Sequence, residues 1–346
     1  MTNIALKSPE EATKDTTLLA SLLLDLFEKI TDSKPRGNKA WTSHIDGALA
    51  LVKLRGVEQF HDRTELHVLI RLINHHIASS LTSAVLVPAE LLTVRDYVAK
   101  NLTFEEHTLQ LSNVTVQYAN LRSNLRTGVA SNDEYVTASK VLDSELEALD
   151  VNMPQAWQYV TTITAAKSDR IFDLHFDSYP HRNICYARNF LRVGRILLNE
   201  TLIEGYLGSP EGEEYWQSLG KAFDNVDTLS GQICASAPQY TDCEGAARKR
   251  LPTSEDPRLL KYAPKGSHPH TLHHQAECYS LIWPLYAAGR SKAGPDVRPW
   301  VIRQLRYIGS HFNIRNAEIV AQILEGDTDV CPWDVYAMLG SYAFNA

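Results

Sequence analysis

The chain has 346 residues, 44% of them hydrophobic and 22% charged, with a formal net charge of −7 and a pI near 6.0. This length exceeds the usual size of one compact domain and supports a sizeable core, whereas the acidic balance excludes a surface that binds nucleic acid over its whole extent. The five cysteines are scattered without a C-x-x-C pair, which excludes a zinc knuckle and a disulfide framework. No secretory signal or membrane span is predicted, so an intracellular, cytoplasmic protein is expected.

Apolar residues recur at helical spacing almost everywhere, beginning with a helix for which Asp15 is the candidate N-cap. A second helix is predicted from Trp41 to Leu54, with Gly56 as its C-cap. Further helices are predicted at about 64–84, 88–100, 104–125, 133–149, 154–165, 183–207, 211–234, 271–288, 296–312, 314–325 and 331–344. No alternating run bounded by hairpin turns is present. The sequence therefore predicts an all-α fold, an array of about a dozen helices in one domain spanning residues 1–346.

The segment 235–270 is rich in proline, glycine, serine and charged residues and lies between two predicted helices. Long loops inside compact domains are uncommon and often cover functional sites. We therefore predict that this segment is a loop that acts as a lid.

Three aspartates precede the longest predicted helix. Asp169, Asp173 and Asp177 are spaced i, i+4, i+8, so they share one face if this segment is helical. Carboxylates in such a row suit Mg²⁺, which takes a few carboxylates together with water and substrate phosphate oxygens. The alternative is a solvated acidic face that binds no metal.

Three arginines follow on the predicted helix 183–207. Arg188, Arg192 and Arg195 are spaced i, i+4, i+7, and guanidinium groups bind diphosphate through paired hydrogen bonds. The alternative is internal ion pairing with the aspartates. Aromatic residues that include Phe176, Tyr179 and Trp283 would wall a pocket for a carbocation or an effector, although a plain core uses aromatic residues in the same way.

The stretch from Lys265 to Glu277 holds four histidines within seven residues. His270 and His274 have a spacing that can bind zinc, but neither an H-E-x-x-H pattern nor a cysteine partner accompanies them. A lysine before a helix start is a better match for an anion site. Lys265 is therefore a candidate ligand of a phosphate group, with His274 and Glu277 as additional candidate metal ligands. The alternative is a polar helix start in which His274 is an ordinary buried histidine.

Five segments occur in a fixed order along the chain. They are WTSHIDGALALVKLRG (41–56), YARNFLRVGRILLNE (186–200), ICASAPQY (233–240), LIWPLYAAG (281–289) and WVIRQLRYIGSHFNIRNA (300–317). Together they resemble the helical regulatory region of fungal zinc-cluster transcription factors. That resemblance implies an all-α superhelical domain whose interior takes a small effector. The six-cysteine DNA-binding cluster of such regulators has no counterpart here, so nucleic-acid binding by this chain alone is not carried over.

The chain is also similar, more loosely, to the non-canonical humulene synthases of fungal tropolone–sesquiterpenoid pathways. That similarity implies an all-α enzyme that binds farnesyl diphosphate, an isoprenoid diphosphate, through two Mg²⁺ ions and an essential lysine. Lys265 is the residue of this chain that matches the lysine.

These observations lead to a predicted function and two alternatives. A chain that begins at Met1 without the cysteine cluster is expected to be a stand-alone enzyme, a sesquiterpene cyclase of secondary metabolism in which Mg²⁺ and Lys265 bind the diphosphate of the substrate. The first alternative is an effector-binding or dimerisation domain of a zinc-cluster transcription factor, which would be nuclear. The second is a helical partner protein without chemistry. Product ring size, effector identity and the existence of a homodimer are left open.

Overall fold

The computed structural model describes residues 8, 11, 14–31, 43–102, 106–165, 168–208, 213–241, 272–326 and 329–339. Nearly all regular structure in these residues is helical, so the predicted all-α fold is confirmed. The chain divides into two compact units, residues 1–149 with 333–346 and residues 150–332. Each unit is described by itself, and the single domain over 1–346 stays a prediction.

The described residues of the first unit are mostly helical. The bounds of its helices are α1 Asp15–Thr31, α2 Ser43–Arg55, α3 Arg63–Ser83, α4 Ala89–Asn101, α5 Glu106–Arg126, α6 Asn132–Val151 and, near the C-terminus, α14 Pro332–Leu339. The central helix α3 packs against α2, α4 and α5.

Local sequence signals define both ends of α3. At its start, the Asp62 side chain accepts a hydrogen bond from the Glu65 amide while the Glu65 carboxylate accepts from the Asp62 amide, which is a capping box. At its end, Ala84 has a left-handed backbone with φ of 49°. The Arg126 Nε donates to the Ala84 carbonyl at 2.8 Å, so a side chain from α5 satisfies one of the carbonyls that the helix end leaves open.

The core of the first unit is aliphatic, with one aromatic cluster at its C-terminal helix. Leu69, Leu72 and Leu91 are completely buried. Trp333 of α14 packs edge-on against Tyr118 of α5 with ring centroids 5.8 Å apart. This contact joins α14 to α5, which precedes it by more than two hundred residues.

One buried histidine makes the stability of the first unit depend on pH. Burial lowers the pKa of His76 below its ordinary value of 6.5, although the Asp46 carboxylate, 3.2 Å from Nε2, favours the charged ring. Because the pKa of His76 is lower in the folded state, the unfolded chain binds more protons than the folded chain as the pH falls from 6.5 towards the folded-state pKa. Stability from His76 is therefore present above 6.5 and is lost as the pH falls towards the folded-state pKa.

We expect the free energy of unfolding to decrease as the pH is lowered from about 7 to about 5, with a contribution from His76 of at most ~1.4 kcal/mol per pH unit. Urea unfolding at a series of pH values would measure this slope. The slope should be smaller in His76→Gln and unchanged in His61→Gln, which alters an exposed histidine. Equal slopes in the wild type and His76→Gln would contradict the prediction.

The second unit contains one small hairpin and a group of packed helices. Its elements are β1 Val160–Ile163, β2 His175–Ser178, α7 Arg182–Gly208, α8 Glu213–Ser236, α9 Pro238–Thr241, α10 Leu272–Ser280, α11 Ile282–Arg290, α12 Val297–Phe312 and α13 Arg315–Glu325. Helices α7 and α8 lie along each other, and α11 packs against both of them as well as against α12 and α13.

The predicted helix at 154–165 is wrong. Residues 155–157 form a single 3-10 turn, and β1 pairs antiparallel with β2, with Val160 opposite Ser178 and Ile163 opposite His175. All four residues of β1, Val-Thr-Thr-Ile, are β-branched, and all four are exposed. A strand of this kind has no buried face and therefore leaves no period-two pattern in the sequence.

The first residues of the segment 235–270, which is the predicted lid, are mostly helical. Helix α8 continues to Ser236, and α9 occupies Pro238–Thr241. Residues 242–271 lie outside the described part of the chain, so the lid stays a prediction.

Helices α11 and α12 approach each other closely at a glycine. A Cβ atom placed on Gly289 would lie 2.9 Å from Cγ1 and 3.1 Å from Cβ of Val301, which is completely buried. Neither atom belongs to a flexible end of a side chain, so relief requires movement of the helix.

We expect Gly289→Ala to lower the free energy of unfolding by about 1–3 kcal/mol because the added methyl overpacks this contact. Gly220→Ala is the matched control, since no atom lies within 4 Å of its new Cβ. There, alanine should stabilise by about 0.5–1 kcal/mol because it favours the helix. Chemical denaturation of both variants measures the difference, and an equal effect at the two glycines would refute the close approach.

Candidate functional site

The three predicted metal-binding aspartates do not lie on one helical face. Asp169 is in the loop between the strands, Asp173 has a left-handed backbone with φ of 60°, and Asp177 is in β2. Asp169 and Asp173 are exposed, whereas Asp177 is buried. The segment is therefore not helical, the condition for one shared aspartate face is not met, and Mg²⁺ binding by these residues stays a prediction.

Asp177 has a structural partner inside the hairpin. Its side chain is 3% exposed and accepts a hydrogen bond of 2.7 Å from Thr161 Oγ1 on the paired strand. Buried polar groups are generally satisfied in this way, and the bond joins β1 to β2 across their ladder.

The three arginines of the predicted row lie on α7, as the periodicity indicates. Arg188, Arg192 and Arg195 are all buried, with exposed fractions of 3%, 0% and 6%. Charged side chains are rarely buried to this degree unless their charge is compensated. The row is therefore the first candidate for a binding function.

Arg188 is compensated by a carboxylate. Its Nη1 donates to Asp150 Oδ1 at 2.6 Å and its Nε donates to the Trp157 carbonyl at 3.3 Å. The Nη2 atom is buried and has no hydrogen-bond acceptor among the residues described.

Arg192 is bonded to neutral groups instead. Its Nη1 donates to Tyr179 Oη at 2.8 Å and to Asn189 Oδ1 at 3.0 Å, and its Nε donates to Gln232 Oε1 at 3.1 Å. No carboxylate forms an ion pair with it in the described part of the chain, and its buried Nη2 has no acceptor there. Arg192 is thus a fully buried cation whose Nη2 donates no hydrogen bond to the described residues.

A tyrosine covers both guanidinium groups. The ring centroid of Tyr159 lies 5.2 Å from Cζ of Arg188 and 5.6 Å from Cζ of Arg192, and it packs 5.0 Å from the Tyr179 ring. Tyr159 is half-buried, and its neighbours Gln158 and Val160 are exposed. We call Arg188, Arg192, Tyr159 and Tyr179 the arginine–tyrosine cluster.

The electrostatics of this cluster keep Arg192 charged. Burial by itself lowers the pKa of Arg192, but interactions with Tyr179 and with the Asp150 charge raise it above its ordinary value. The neighbouring thiol and phenol stay neutral, because burial raises the pKa of Cys185 to about 11 and raises that of Tyr179 further. The cluster therefore presents positive charge at neutral pH.

The histidine-rich stretch is only partly described. Lys265 and His270 lie outside the described residues, so their predicted roles are not addressed by this structure. His274 is buried on α10, its Nε2 lies 2.6 Å from the Tyr240 carbonyl, and its ring packs edge-on against Phe312. Since a carbonyl only accepts, Nε2 is the donor, which gives His274 a structural partner. Glu277 is half-buried on the same helix, and its charge helps to raise the pKa of Tyr240.

The predicted aromatic pocket residues are dispersed. Tyr179 belongs to the arginine–tyrosine cluster, whereas Phe176 is half-buried in β2. Trp283, on α11, is buried in the core of the second unit. Its Nε1 donates to the Pro332 carbonyl at 2.7 Å, and its ring packs 5.6 Å from that of Phe190.

A polar cavity of about 270 Å³ lies in the second unit, away from the predicted residues. We call it the charged cavity. It is lined by Glu200, Glu204, Tyr286, Arg290, Lys292, Arg298, Ile323, Leu324, Gly326 and Asp329. The sequence carries a partial signal for it, because Glu200 and Glu204 are one turn apart on α7, but their partners are distant in the chain.

The described residues contain no group of three or more His, Cys, Asp or Glu side chains placed to hold a metal ion. No helix among them is long and apolar enough to cross a membrane. Comparisons with protein-family models, with curated proteins and with solved structures found no match to this chain.

Proposed function

We propose that this chain is a helical regulatory domain that binds a small anionic effector at the arginine–tyrosine cluster. The observation that carries the proposal is Arg192, a completely buried guanidinium group without a carboxylate partner and with an unused N–H. The resemblance to the helical regulatory region of fungal zinc-cluster transcription factors supports the same function.

An anion is the ligand class that this chemistry favours. Of the two guanidinium groups, Arg188 is bonded to a carboxylate, that of Asp150, and Arg192 is bonded to none in the described residues. The pair therefore retains positive charge. Both Nη2 atoms are donors without acceptors in the described structure. Carboxylate and phosphate oxygens accept from guanidinium groups in shorter and stronger bonds than neutral acceptors do.

Access to the cluster is through Tyr159. The guanidinium groups are buried in this conformation, and Tyr159 is the half-exposed side chain that covers them. It lies in an exposed segment that continues into β1, whose four side chains are all exposed. Because these side chains are already exposed, displacing the segment uncovers little buried apolar surface, which is a property of segments that open locally at low cost in free energy.

Binding accounts for the geometry better than ionisation of a diphosphate does. The cyclase prediction relies on aligned aspartates, and those residues are in a loop and a strand with one of them buried. The arginines, in contrast, are already placed together. A regulatory domain that binds an anion needs the neighbouring arginines and does not need aligned aspartates.

The proposal is tested by thermal unfolding in the presence of small anions. Pyrophosphate, citrate, malate and acetate would be added one at a time at constant ionic strength, and we expect at least one to raise the melting temperature in a saturable way. Arg192→Lys should weaken that effect about tenfold because a lysine cannot form paired hydrogen bonds. Arg306→Lys, on the exposed side of α12, is the matched control and should have no effect.

Two results would overturn this proposal. One is the absence of a stabilising anion for the wild-type protein, and the other is an identical anion effect in wild type, Arg192→Lys and Arg188→Lys. Circular dichroism of each variant would establish that it is folded before binding is compared.

The sesquiterpene cyclase remains the second candidate function, and the same arginine pair favours it. A diphosphate is an anion that two guanidinium groups bind, and the faces of Tyr159 and Tyr179 lie beside them. Incubation with farnesyl diphosphate, with and without Mg²⁺, tests this candidate by the appearance of a hydrocarbon product. The product should be lost in Lys265→Ala, and the absence of any product from the wild-type protein would eliminate the candidate.

A further inference from the structure

The charged cavity differs from the arginine–tyrosine cluster in its balance of charge. Three cationic side chains line it, Arg290, Lys292 and Arg298, together with three carboxylates, Glu200, Glu204 and Asp329. A wall with equal numbers of both signs has no net attraction for a simple cation or anion. A ligand that carries both charges can place each of them against the opposite sign.

Arg290 organises one side of this cavity. Its Nε and Nη2 donate to Asp329 at 2.5 and 3.0 Å, and its Nη1 donates to Glu200 Oε2 at 2.7 Å. Three of its five N–H groups are therefore committed to carboxylates. Arg298 is held by hydrogen bonds as well, because its Nε donates to the Leu324 carbonyl at 3.1 Å and its Nη2 donates to the Gly326 carbonyl at 3.2 Å. Both acceptors are neutral, so Arg298 still adds positive charge to the wall.

The remaining charges are Lys292 and Glu204. Both side chains are exposed at the cavity and form no ion pair within the described ranges of the chain. Burial raises the pKa of Glu200, and the negative charge of Glu204, one turn further along α7, adds to this effect, whereas the charges of Arg290 and Lys292 act in the opposite direction. Lys292 and Glu204 are thus a cation and a carboxylate of this wall that no ion pair of the described residues occupies.

The volume of the charged cavity and its uncharged lining residues restrict the class of ligand further. A volume of about 270 Å³ corresponds to roughly nine water molecules at ~30 Å³ each, somewhat below the range of pockets for drug-sized ligands. Ile323, Leu324 and Tyr286 contribute an apolar part of the wall. Among the described residues, its carboxylates do not belong to any group of three or more side chains placed to hold a metal ion.

From these features we infer that the charged cavity is a binding site for a small zwitterion, a free α-amino acid with an apolar side chain. Lys292 receives the ligand carboxylate, Glu204 receives its ammonium group, and the apolar wall contacts its side chain. The Arg290 ion pairs with Glu200 and Asp329 keep the two binding charges apart and hold the cavity open. This site is separate from the proposed anion site, and the inference does not depend on that proposal.

The test uses the full chain and the free L-amino acids as probes, one at a time, in titration calorimetry and thermal unfolding. We expect at least one apolar amino acid to bind and to raise the melting temperature. Its decarboxylated amine and its deaminated carboxylic acid should each bind at least about tenfold more weakly, because each retains only one of the two charge contacts.

Matched variants locate the binding. Lys292→Gln and Glu204→Gln should each weaken binding about tenfold, whereas Lys221→Gln and Asp224→Asn, exposed substitutions on α8, should leave it unchanged. Failure of every amino acid to bind, equal binding of the amine or acid analogue, or unchanged affinity in both cavity variants would overturn the inference. Arg192→Lys should leave amino-acid binding unchanged, so failure here is distinguishable from failure of the proposed anion site.

Discussion

Replacing Arg192 with alanine is expected to lower the free energy of unfolding by about 3–4 kcal/mol. The truncation removes the donor of two buried acceptors, Tyr179 Oη and Asn189 Oδ1, and of the half-buried Gln232 Oε1. It also creates a cavity where a completely buried side chain was packed. Arg192→Met should cost less, about 1–2 kcal/mol, because methionine fills much of the volume while the acceptors still lose their donor.

The control for this prediction is Arg306→Ala. Arg306 has two carboxylate partners, Glu318 and Glu325, each 2.5 Å away, but its side chain is 38% exposed. Exposed ion pairs contribute little because water already solvates both partners, so the loss should stay within about 1 kcal/mol. Urea unfolding of the two variants measures whether the loss in free energy of unfolding follows the burial of the arginine or the number of its ion pairs. Equal losses at the two positions would show that Arg192 is not the structural centre of its cluster.

An Arg192→Met variant as stable as the wild type would be informative in another way. Buried charges can often be replaced by apolar residues of similar volume without loss of stability, and then another reason must account for their presence. In that case the guanidinium group serves ligand binding alone, and anion binding should still be lost. The stability and binding measurements together therefore separate the two roles.

Trp283→Ala is expected to have an effect of similar size, about 3–5 kcal/mol. Trp283 is the largest fully buried side chain described, at 1% exposure, and it packs against Phe190 of α7. Its Nε1 donates to the Pro332 carbonyl, which loses this donor in the variant. Trp283→Phe should recover most of the packing and leave about 1–3 kcal/mol of the loss, the cost of the unsatisfied carbonyl.

Trp216→Ala provides the matched control, since Trp216 is 64% exposed on α8. Its removal should change the free energy of unfolding by no more than about 0.5 kcal/mol. Denaturant titrations followed by far-ultraviolet circular dichroism measure all three variants independently of tryptophan fluorescence. Comparable losses at Trp216 and Trp283 would contradict the burial of Trp283 in the helical core.

Local signals were sufficient for most helices. The predicted helix at 183–207 corresponds to α7 at Arg182–Gly208, and the predicted helix at 296–312 corresponds to α12 at Val297–Phe312. A helix is held by bonds between residues four apart, so its periodicity and its ends are present in a short window of sequence. The hairpin lacks such a signal, because β1 is held by its partner fifteen or so residues away and not by a buried face.

For the candidate site residues too, the sequence predicted the features that depend on one helix and could not predict their distant partners. The spacing of Arg188 and Arg192 predicted that they share a region of α7, since both are on one helix. The sequence could not show that Arg188 pairs with Asp150, 38 residues away, and that Arg192 is left without a carboxylate. The aspartate row shows the opposite case, because i, i+4 spacing places side chains together only when the segment is a helix.

The sequence by itself determined the all-α class, the positions of the main helices and the row of arginines, because each of these depends on neighbours within a turn or two of the same helix. Only the tertiary structure decided which charges are buried and which partners they have. The Arg290 bond to Glu200 joins residues 90 apart, and the bond from Gln304 to the Asp169 carbonyl joins residues 135 apart. Such pairs are set by the packing of helices against one another, and no short stretch of sequence records that packing.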